Sequence, residues 1–277
     1  MLTMKNFSVH TFYYTHNSYE TMLKSLKAAN VDQIELYGSA PLLCEMYTYT
    51  QEEHAAMIKE KKELLDRYGI KVRCIFIPTL DLPINIASLN EQVYTKSVDV
   101  MKAYVEDAAC IGAEAILLDS GYGLFDKDPA PYWEQSVKAL KEITVLAEEN
   151  GIIVYIRPMG TCTNLVNDVR ALEKMIKEVD SPMLKPCLDA GIMAGNGENV
   201  LDYTDRFGKI DYVRIGNFGP DGEICEGIGL NRITDVIGQI PDFDGDIAIE
   251  IGWERLDIPD SASIGIGKEI PKYLETL

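Results

Sequence analysis

The chain has 277 residues, of which 47% are hydrophobic, and it carries a formal net charge of −18 at pH 7. This length and apolar content can bury a sizeable core and suit one large α/β domain. Lysine and arginine are spread along the chain without forming a basic patch, which argues against nucleic acid and anionic membranes as partners, because both select for clustered positive charge.

About eight segments with strand character alternate with helical segments. The strands are predicted at residues 7–12, 33–37, 70–78, 114–119, 152–157, 183–189, 210–215 and 246–251. Each is followed by apolar residues at helical spacing, and Gly69, Gly112 and Gly151 stand where helix C-terminal glycines belong. Several strands are near-continuous apolar runs, which favours a parallel sheet covered by helices on both faces.

Eight β-then-α units in roughly 250 residues have the size and rhythm of a (β/α)₈ TIM barrel. We predict this α/β fold as a single domain over residues 1–277. A doubly wound open sheet is the rival fold, but no GxGxxG turn follows the first strand and six strands would suffice for it. No linker, low-complexity tract or charge block divides the chain.

The spacing of the cysteines and the composition of the N-terminal segment indicate the cellular compartment. The six cysteines lie far apart without a CxxC pair, which indicates thiols of a reduced intracellular protein rather than a zinc site. No sustained apolar region opens the chain, and nowhere do about 18 consecutive apolar residues occur, so neither export nor a membrane span is predicted. We expect a cytoplasmic protein.

Polar side chains end most of the predicted strands, where a (β/α)₈ barrel builds its active site. An unpaired charge is costly to bury there, so these residues must pair with one another or bind a polar ligand. The strand-end residues are His10, Glu35, Asp119, Arg157, Asp189, Arg214, Asn217 and Glu250. Trp253, just beyond the last strand, offers an aromatic face that could stack on a ligand or equally pack at the rim of the barrel.

The segments NVDQIELYG, YGIKVRCIFIP, CLDAG, GIGLNRI and DFDGDIAIEIGW follow one another in an order that resembles the xylose isomerase-like barrels. That superfamily includes sugar phosphate isomerases and epimerases, ketose 3-epimerases and the family 2 AP endonucleases. The resemblance covers essentially the whole chain. It implies a TIM barrel with an isomerase-type role in carbohydrate metabolism.

The resemblance also implies where a divalent metal would sit, because catalytic members hold it with a Glu, an Asp, a His and a Glu that end strands five to eight. Asp189 and Glu250 match two of these ligands, whereas Arg157 and Arg214 fall on the other two. A guanidinium has no lone pair and stays protonated, so Mn²⁺ or Mg²⁺ is disfavoured and we expect no cofactor. Arg157 is expected to replace the ion through forked hydrogen bonds to Asp189 or Glu250.

Two functions stay open at this point. The first is a sugar or sugar-phosphate isomerase or epimerase-like protein that acts on a small polyhydroxylated metabolite at the barrel mouth, with a degenerate metal site. The second is a non-catalytic metabolite-binding protein of the same fold. The catalytic candidates are Asp189, Glu250 and Arg157. The candidates for ligand binding are His10, Glu35, Arg214, Asn217 and Trp253.

Structural roles are open for several of the same side chains. Asp189 and Glu250 fit loop caps or partners of the arginines, Arg157 fits a structural ion pair, and His10 fits a satisfied structural histidine. AP endonuclease activity is disfavoured, since it needs a histidine-rich metal cluster and a DNA-binding face, and the chain has three histidines. Relatives commonly form dimers or tetramers, so a homo-oligomer is compatible with the resemblance.

Overall fold

The structure is a computed structural model that describes residues 2–39, 50–79, 84–218, 236–251, 267–268, 270–272 and 274–275. Its strands all pair in parallel. They are β1 (Phe7–His10), β2 (Gln33–Tyr37), β3 (Lys71–Phe76), β4 (Ala115–Leu118), β5 (Ile153–Ile156), β6 (Leu184–Pro186), β7 (Leu188–Asp189), β8 (Tyr212–Phe218) and β9 (Asp246–Ile251).

The nine strands form a nearly closed barrel, and the predicted TIM-barrel fold is confirmed. Their order is β6-β5-β4-β3-β2-β1-β9-β8-β7, so the two edges of the sheet are consecutive in the chain. Only Cys187 separates β6 from β7, and its N–H donates to the carbonyl of Ile156 at 2.8 Å. The sixth predicted strand is therefore divided in two just after Pro186, which cannot donate to the ladder.

Helices alternate with the strands in the described part of the chain. They are α1 (Tyr19–Ala28), α2 (Gln51–Tyr68), α3 (Glu91–Ile111), α4 (Ala130–Asn150), α5 (Val169–Val179), α6 (Ala190–Gly195) and α7 (Val200–Phe207). Gly69, Gly112 and Gly151 end α2, α3 and α4 with positive φ, as predicted. The segment after the seventh predicted strand, residues 231–240, is also predicted to be helical, and its first half, 231–235, lies outside the described residues.

The barrel interior below the site is filled by side chains. The rings of Tyr155 on β5 and Tyr212 on β8 stack with centroids 4.6 Å apart. Nearer the N-terminal ends of the strands, Arg73 on β3 donates to both carboxylate oxygens of Asp246 on β9 at 2.8 and 2.7 Å. Neither pair belongs to neighbouring strands, so both contacts cross the interior. In the part of the chain that the structure describes, these side chains fill the interior towards the N-terminal ends of the strands, which leaves the C-terminal mouth as the place for a ligand.

No helix in the described ranges is long and apolar enough to cross a membrane.

Candidate functional site

Six of the eight predicted site residues meet at the C-terminal mouth of the barrel. The sheet register sets His10 opposite Glu35 and Asp189 opposite Arg214. Parallel strands bring their carboxyl ends to one edge, which is why residues far apart in sequence become neighbours. The six are His10, Glu35, Arg157, Asp189, Arg214 and Glu250.

Arg214 is the centre of this group. Its Nε lies 3.1 and 3.2 Å from the two carboxylate oxygens of Glu35, and its Nη1 lies 3.0 Å from Oδ2 of Asp189. Its Nη2 forms an ion pair with Oε2 of Glu250 at 3.1 Å. Burial alone would lower the pKa of Arg214, but Glu250, Glu35 and Asp189 outweigh it and raise the pKa well above its usual range. One buried guanidinium thus joins carboxylates from three strands.

Arg157, one residue beyond β5, is the second guanidinium of the site. Its Nη1 donates to the same Oδ2 of Asp189 that Arg214 contacts. The other oxygen, Oδ1, accepts from the backbone N–H groups of Gly191 and Ile192 at the start of α6. Burial would raise the pKa of Asp189, but Arg157 and Arg214 hold it below its usual range. Asp189 therefore fixes both arginines and caps a helix at once.

Glu35 is fully buried and contacts three polar side chains. In addition to its contact with Arg214, it accepts a hydrogen bond from the Tyr212 hydroxyl at 2.7 Å, and its Oε2 lies 2.6 Å from Nδ1 of His10. Burial would raise the pKa of Glu35, but the charges of Arg214 and His10 outweigh it and hold the pKa well below its usual range. Glu35 is the ionised counter-charge of this buried cluster.

Phe76, the last residue of β3, packs against both arginines. The Cζ atoms of Arg214 and Arg157 lie 4.5 and 5.0 Å from the centroid of its ring. A ring face attracts cations, so Phe76 stabilises two guanidiniums that carry like charge. The ring of His10 packs edge-on against Phe76 and Tyr37, with centroids 5.1 and 5.6 Å apart.

Above this cluster the described residues leave a cavity of about 160 Å³. Its lining mixes two carboxylates, one guanidinium and several aromatic rings. The lining residues are His10, Phe12, Tyr37, Phe76, Pro78, Thr79, Asp119, Arg157, Met159 and Glu250. The Asp119 carboxylate accepts a hydrogen bond from the Thr79 hydroxyl, and the Glu250 side chain keeps 30% of its surface exposed. The cavity therefore offers acceptors, a fork of donors and flat apolar faces.

The remaining predicted residues lie outside what the structure describes. The backbone of Asn217 belongs to β8, but its side chain is outside the described atoms, and Trp253 lies outside the described residues altogether. Sequence reasoning did not select Tyr212, Phe76 or Tyr37 for the site. Tyr212 lies two residues before Arg214, so strand alternation could have found it on the same face. The other two end their strands but read as ordinary core aromatics.

The donor set does not fit a divalent metal ion. At the four positions that match the family's ligands stand two carboxylates and two guanidiniums, and Arg214 lies within 3.1 Å of Glu250 and 3.0 Å of Asp189. A dication in contact with those carboxylates would meet two fixed positive charges. In the ranges that the structure describes, no group of three or more His, Cys, Asp or Glu side chains is arranged to hold a metal.

Comparison with known proteins gives a consistent set of matches. A family model described as xylose isomerase-like TIM barrel matches residues 23–267. The uncharacterized protein MJ1311 of Methanocaldococcus jannaschii is 26% identical over 290 residues, which cover 99% of this chain and 91% of that protein. The fructoselysine 3-epimerase of Shigella flexneri is 22% identical over 226 residues, which cover 79% of this chain and 80% of the enzyme.

A solved structure of a D-tagatose 3-epimerase-like protein superimposes with a TM-score of 0.74 at 25% identity, covering 98% of this chain and 97% of that chain. The likeness extends over the whole barrel.

Proposed function

The chain belongs to the xylose isomerase-like TIM-barrel family, and we propose that it binds a small uncharged sugar at the barrel mouth and isomerises or epimerises it without a metal ion. The observation that carries the proposal is the cavity above the arginine cluster, where Asp119, Arg157 and Glu250 share a lining with aromatic rings. Hydroxyl groups of a sugar need acceptors and donors, and its apolar face packs on aromatic rings. Drug-sized ligands fill about 300–1,000 Å³, so the cavity suits a smaller molecule.

Charge at the cavity favours an uncharged sugar over a sugar phosphate. Two of the lining side chains are carboxylates, Asp119 and Glu250, and the lining guanidinium of Arg157 is already paired with Asp189. A phosphate group would have to approach both carboxylates without a free cation among these side chains to neutralise it. Sugar hydroxyls, by contrast, donate to carboxylates.

The proposed chemistry consists of proton transfers through an enediolate. A carboxylate of the lining removes the proton from the carbon next to the substrate carbonyl, and the negative charge that develops on the carbonyl oxygen is stabilised by the Arg157 guanidinium. Delivery of a proton to the opposite face of that carbon, from the second lining carboxyl group or from water, epimerises it. Delivery to the neighbouring carbon isomerises the sugar, provided that the hydroxyl proton is also transferred to the former carbonyl oxygen. Glu250 is assigned as the base, since its side chain is partly exposed to the cavity. Asp189 acts indirectly, by positioning Arg157.

The relatives support the same substrate class. Among the matches, the fructoselysine 3-epimerase and the D-tagatose 3-epimerase-like protein carry names of enzymes that act on sugars or their derivatives. This chain differs from the pattern of the family at the site itself, because Arg157 and Arg214 stand where the family resemblance places metal ligands.

A non-catalytic sugar-binding protein is the second candidate, and one contact favours it. Glu250 is ion-paired with the buried guanidinium of Arg214, and this contact engages Oε2, one of the two oxygens that would take up a substrate proton. In that case the same cavity would bind the sugar without exchanging its protons.

The two candidates differ in one measurement. Protein dialysed against a chelator is screened by thermal shift against uncharged aldoses, ketoses and polyols, and each ligand that stabilises it is incubated with the protein in D₂O. Incorporation of solvent deuterium at carbon, observed by NMR, supports catalysis, and stabilisation without exchange supports binding alone. Glu250→Gln should abolish the exchange, whereas Glu63→Gln, a change at a 60% exposed helix residue, should leave it intact.

Metal analysis of protein purified without chelator tests the remaining part of the proposal. Stoichiometric Mn or Zn would refute the metal-independent mechanism.

A further inference from the structure

A second, larger cavity opens beside the barrel mouth, and we call it the outer cleft. Its volume is about 650 Å³, roughly four times that of the barrel-mouth cavity. It lies among the loop after β5, the start of α5 and the connection between α6 and α7. Its lining comprises Phe125, Gly160, Thr161, Thr163, Asn164, Asn167, Asp168, Val169, Arg170, Asn196, Gly197, Glu198 and Asp202.

The two cavities adjoin along one short stretch of chain. Arg157 and Met159 line the barrel-mouth cavity, whereas Gly160 and Thr161, the next residues, line the outer cleft. Gly160 makes this change of direction with φ of +55°, a conformation that favours glycine. The linings of the two cavities are therefore continuous in the chain from Met159 to Thr161.

Backbone and side-chain hydrogen bonds hold the cleft in shape. The N–H groups of Met159 and Gly160 donate to the carbonyls of Val166 and Asn167 at 3.0 and 3.1 Å. From the opposite wall, the side chain of Asn196 donates to the same Asn167 carbonyl at 2.8 Å. Binding sites for small molecules are usually preformed in this way.

Several polar side chains of the outer cleft are available to hydrogen-bond with a ligand. In the part of the chain that the structure describes, the side chains of Thr161, Asn167 and Arg170 are exposed and make no hydrogen bond or ion pair. They offer a hydroxyl, an amide and a guanidinium. At the rim, the ring of Phe125 is 67% exposed, although burying such a ring is favourable. Amides, hydroxyls and an open aromatic face are the groups that recognise a sugar.

The net charge of the outer cleft further restricts the class of ligand that it can bind. Its three carboxylates cap helices: Asp168 accepts from the N–H of Ala171, Glu198 from that of Val169, and Asp202 from that of Asn199. With the single guanidinium of Arg170, three negative charges and one positive charge leave the lining at −2. An uncharged substituent suits this surface better than a phosphate does.

We propose that the outer cleft is a subsite for a second sugar unit, so that the substrate is an uncharged glycoside or disaccharide rather than a free monosaccharide. This inference rests on the proposed function, because it assumes that the reacting sugar unit lies in the barrel mouth. The second unit stacks on Phe125 and hydrogen-bonds with Asn167 and Arg170. Its binding energy holds the reacting unit against Glu250 and Arg157.

The test compares free monosaccharides with reducing disaccharides built from them, by titration calorimetry on the full chain. Disaccharides should bind at least about tenfold more tightly, and Phe125→Ala and Asn167→Ala should each weaken disaccharide binding about 3- to 10-fold without changing monosaccharide binding. Both side chains are exposed, so neither change threatens the fold. Leu124→Ala, at a neighbouring 51% exposed residue outside the lining, is the matched control.

Equal affinity for the two classes, or an equal effect of Phe125→Ala on both, overturns the subsite and leaves the proposed function standing. Disaccharide binding that responds to Phe125→Ala, but without incorporation of solvent deuterium into the bound sugar, supports a site in the cleft and contradicts the proposed catalysis. Absence of binding by either class overturns both.

Discussion

Arg214 and Glu35 form a buried ion pair in which Nε contacts both carboxylate oxygens, at 3.1 and 3.2 Å, and neither side chain exposes more than 1% of its surface. The pair joins β8 to β2 across the barrel. Asp189 and Glu250 complete the shell around the same guanidinium. The cation of Arg214 thus holds together three carboxylates that would otherwise repel one another.

Removal of this cation should destabilise the protein strongly. Arg214→Met leaves Glu35, Asp189 and Glu250 facing one another without their shared partner, and breaking a buried ion pair from one side costs about 3–5 kcal/mol. Urea unfolding at pH 7 should show a decrease of that size in the free energy of unfolding. The control is Arg67→Met, at a 63% exposed arginine 3.7 Å from Glu20, which should cost less than about 1 kcal/mol. A loss at position 214 as small as the control would contradict the central role of Arg214.

The fold could be predicted because it follows from local patterns. Apolar runs of strand length, helical spacing and the helix-ending glycines repeat about eight times, and each is visible in the sequence. The split of the sixth strand was not predicted, although Pro186 marks its position in the sequence, because the effect of that proline depends on how the barrel closes.

The site could be predicted only in part. Charged strand ends identified Arg157, Asp189, Arg214 and Glu250, because parallel strands end at one edge. Which carboxylate each arginine contacts depends on side-chain reach across the barrel, and sequence spacing does not contain that information. Arg157 was expected to bond to Asp189 or Glu250, and it contacts Asp189, whereas the three carboxylate contacts of Arg214 were not predicted.

The buried carboxylates make stability depend on pH in the acid range. The folded pKa values of Glu35 and Asp189 lie below the ordinary values of 4.5 and 3.8. As pH falls through those ordinary values, the unfolded chain takes up protons before the folded protein does, so the free energy of unfolding decreases. Their contribution is complete above about pH 5 and is lost progressively below it. Urea unfolding between pH 3 and pH 6 should show the decline, and a flat profile would contradict these contacts.

The three histidines should differ in their NMR spectra. Nδ1 of His10 lies 2.6 Å from Glu35, whereas His54 faces Asp107 with Nε2, at 2.8 Å. A carboxylate keeps the proton on the nitrogen that it faces. Long-range ¹H–¹⁵N spectra should therefore show a protonated Nδ1 for His10 and a protonated Nε2 for His54 near pH 8, while exposed His16 provides the unbiased reference. A His10 ring with the His54 pattern would refute its pairing with Glu35.

Two substitutions should rebuild a metal site. Arg157→Glu with Arg214→His supplies the two ligands that the family resemblance places at these positions, beside Asp189 and Glu250, and it removes two positive charges. The double variant should bind about one Mn²⁺ per chain by elemental analysis and gain thermal stability on adding Mn²⁺, in proportion to ligand saturation. Each single variant retains one arginine and serves as a control. Equal Mn²⁺ binding by the unaltered protein would show that the arginines do not exclude the metal.

Lys61, which lies outside the site, should make the stability of the protein depend on pH in the alkaline range as well. It lies on α2 with 7% of its surface exposed and its Nζ 4.2 Å from the centroid of the Tyr19 ring. Burial lowers the pKa of Lys61 from 10.5 to about 8. Between those two values the unfolded chain holds the extra proton, so the free energy of unfolding should rise with pH, by at most about 3 kcal/mol.

Urea unfolding at pH 7.5 and pH 9.5 measures this rise. Lys61→Met keeps the length of the buried stem and removes the amine, so the variant should lack the increase between the two pH values. Lys59→Met changes a lysine of the same helix whose side chain is 79% exposed, and it should keep the increase. If both variants lack the increase in unfolding free energy, the increase comes from general charge repulsion in this acidic chain. If the increase persists in Lys61→Met, the amine of Lys61 is not its source.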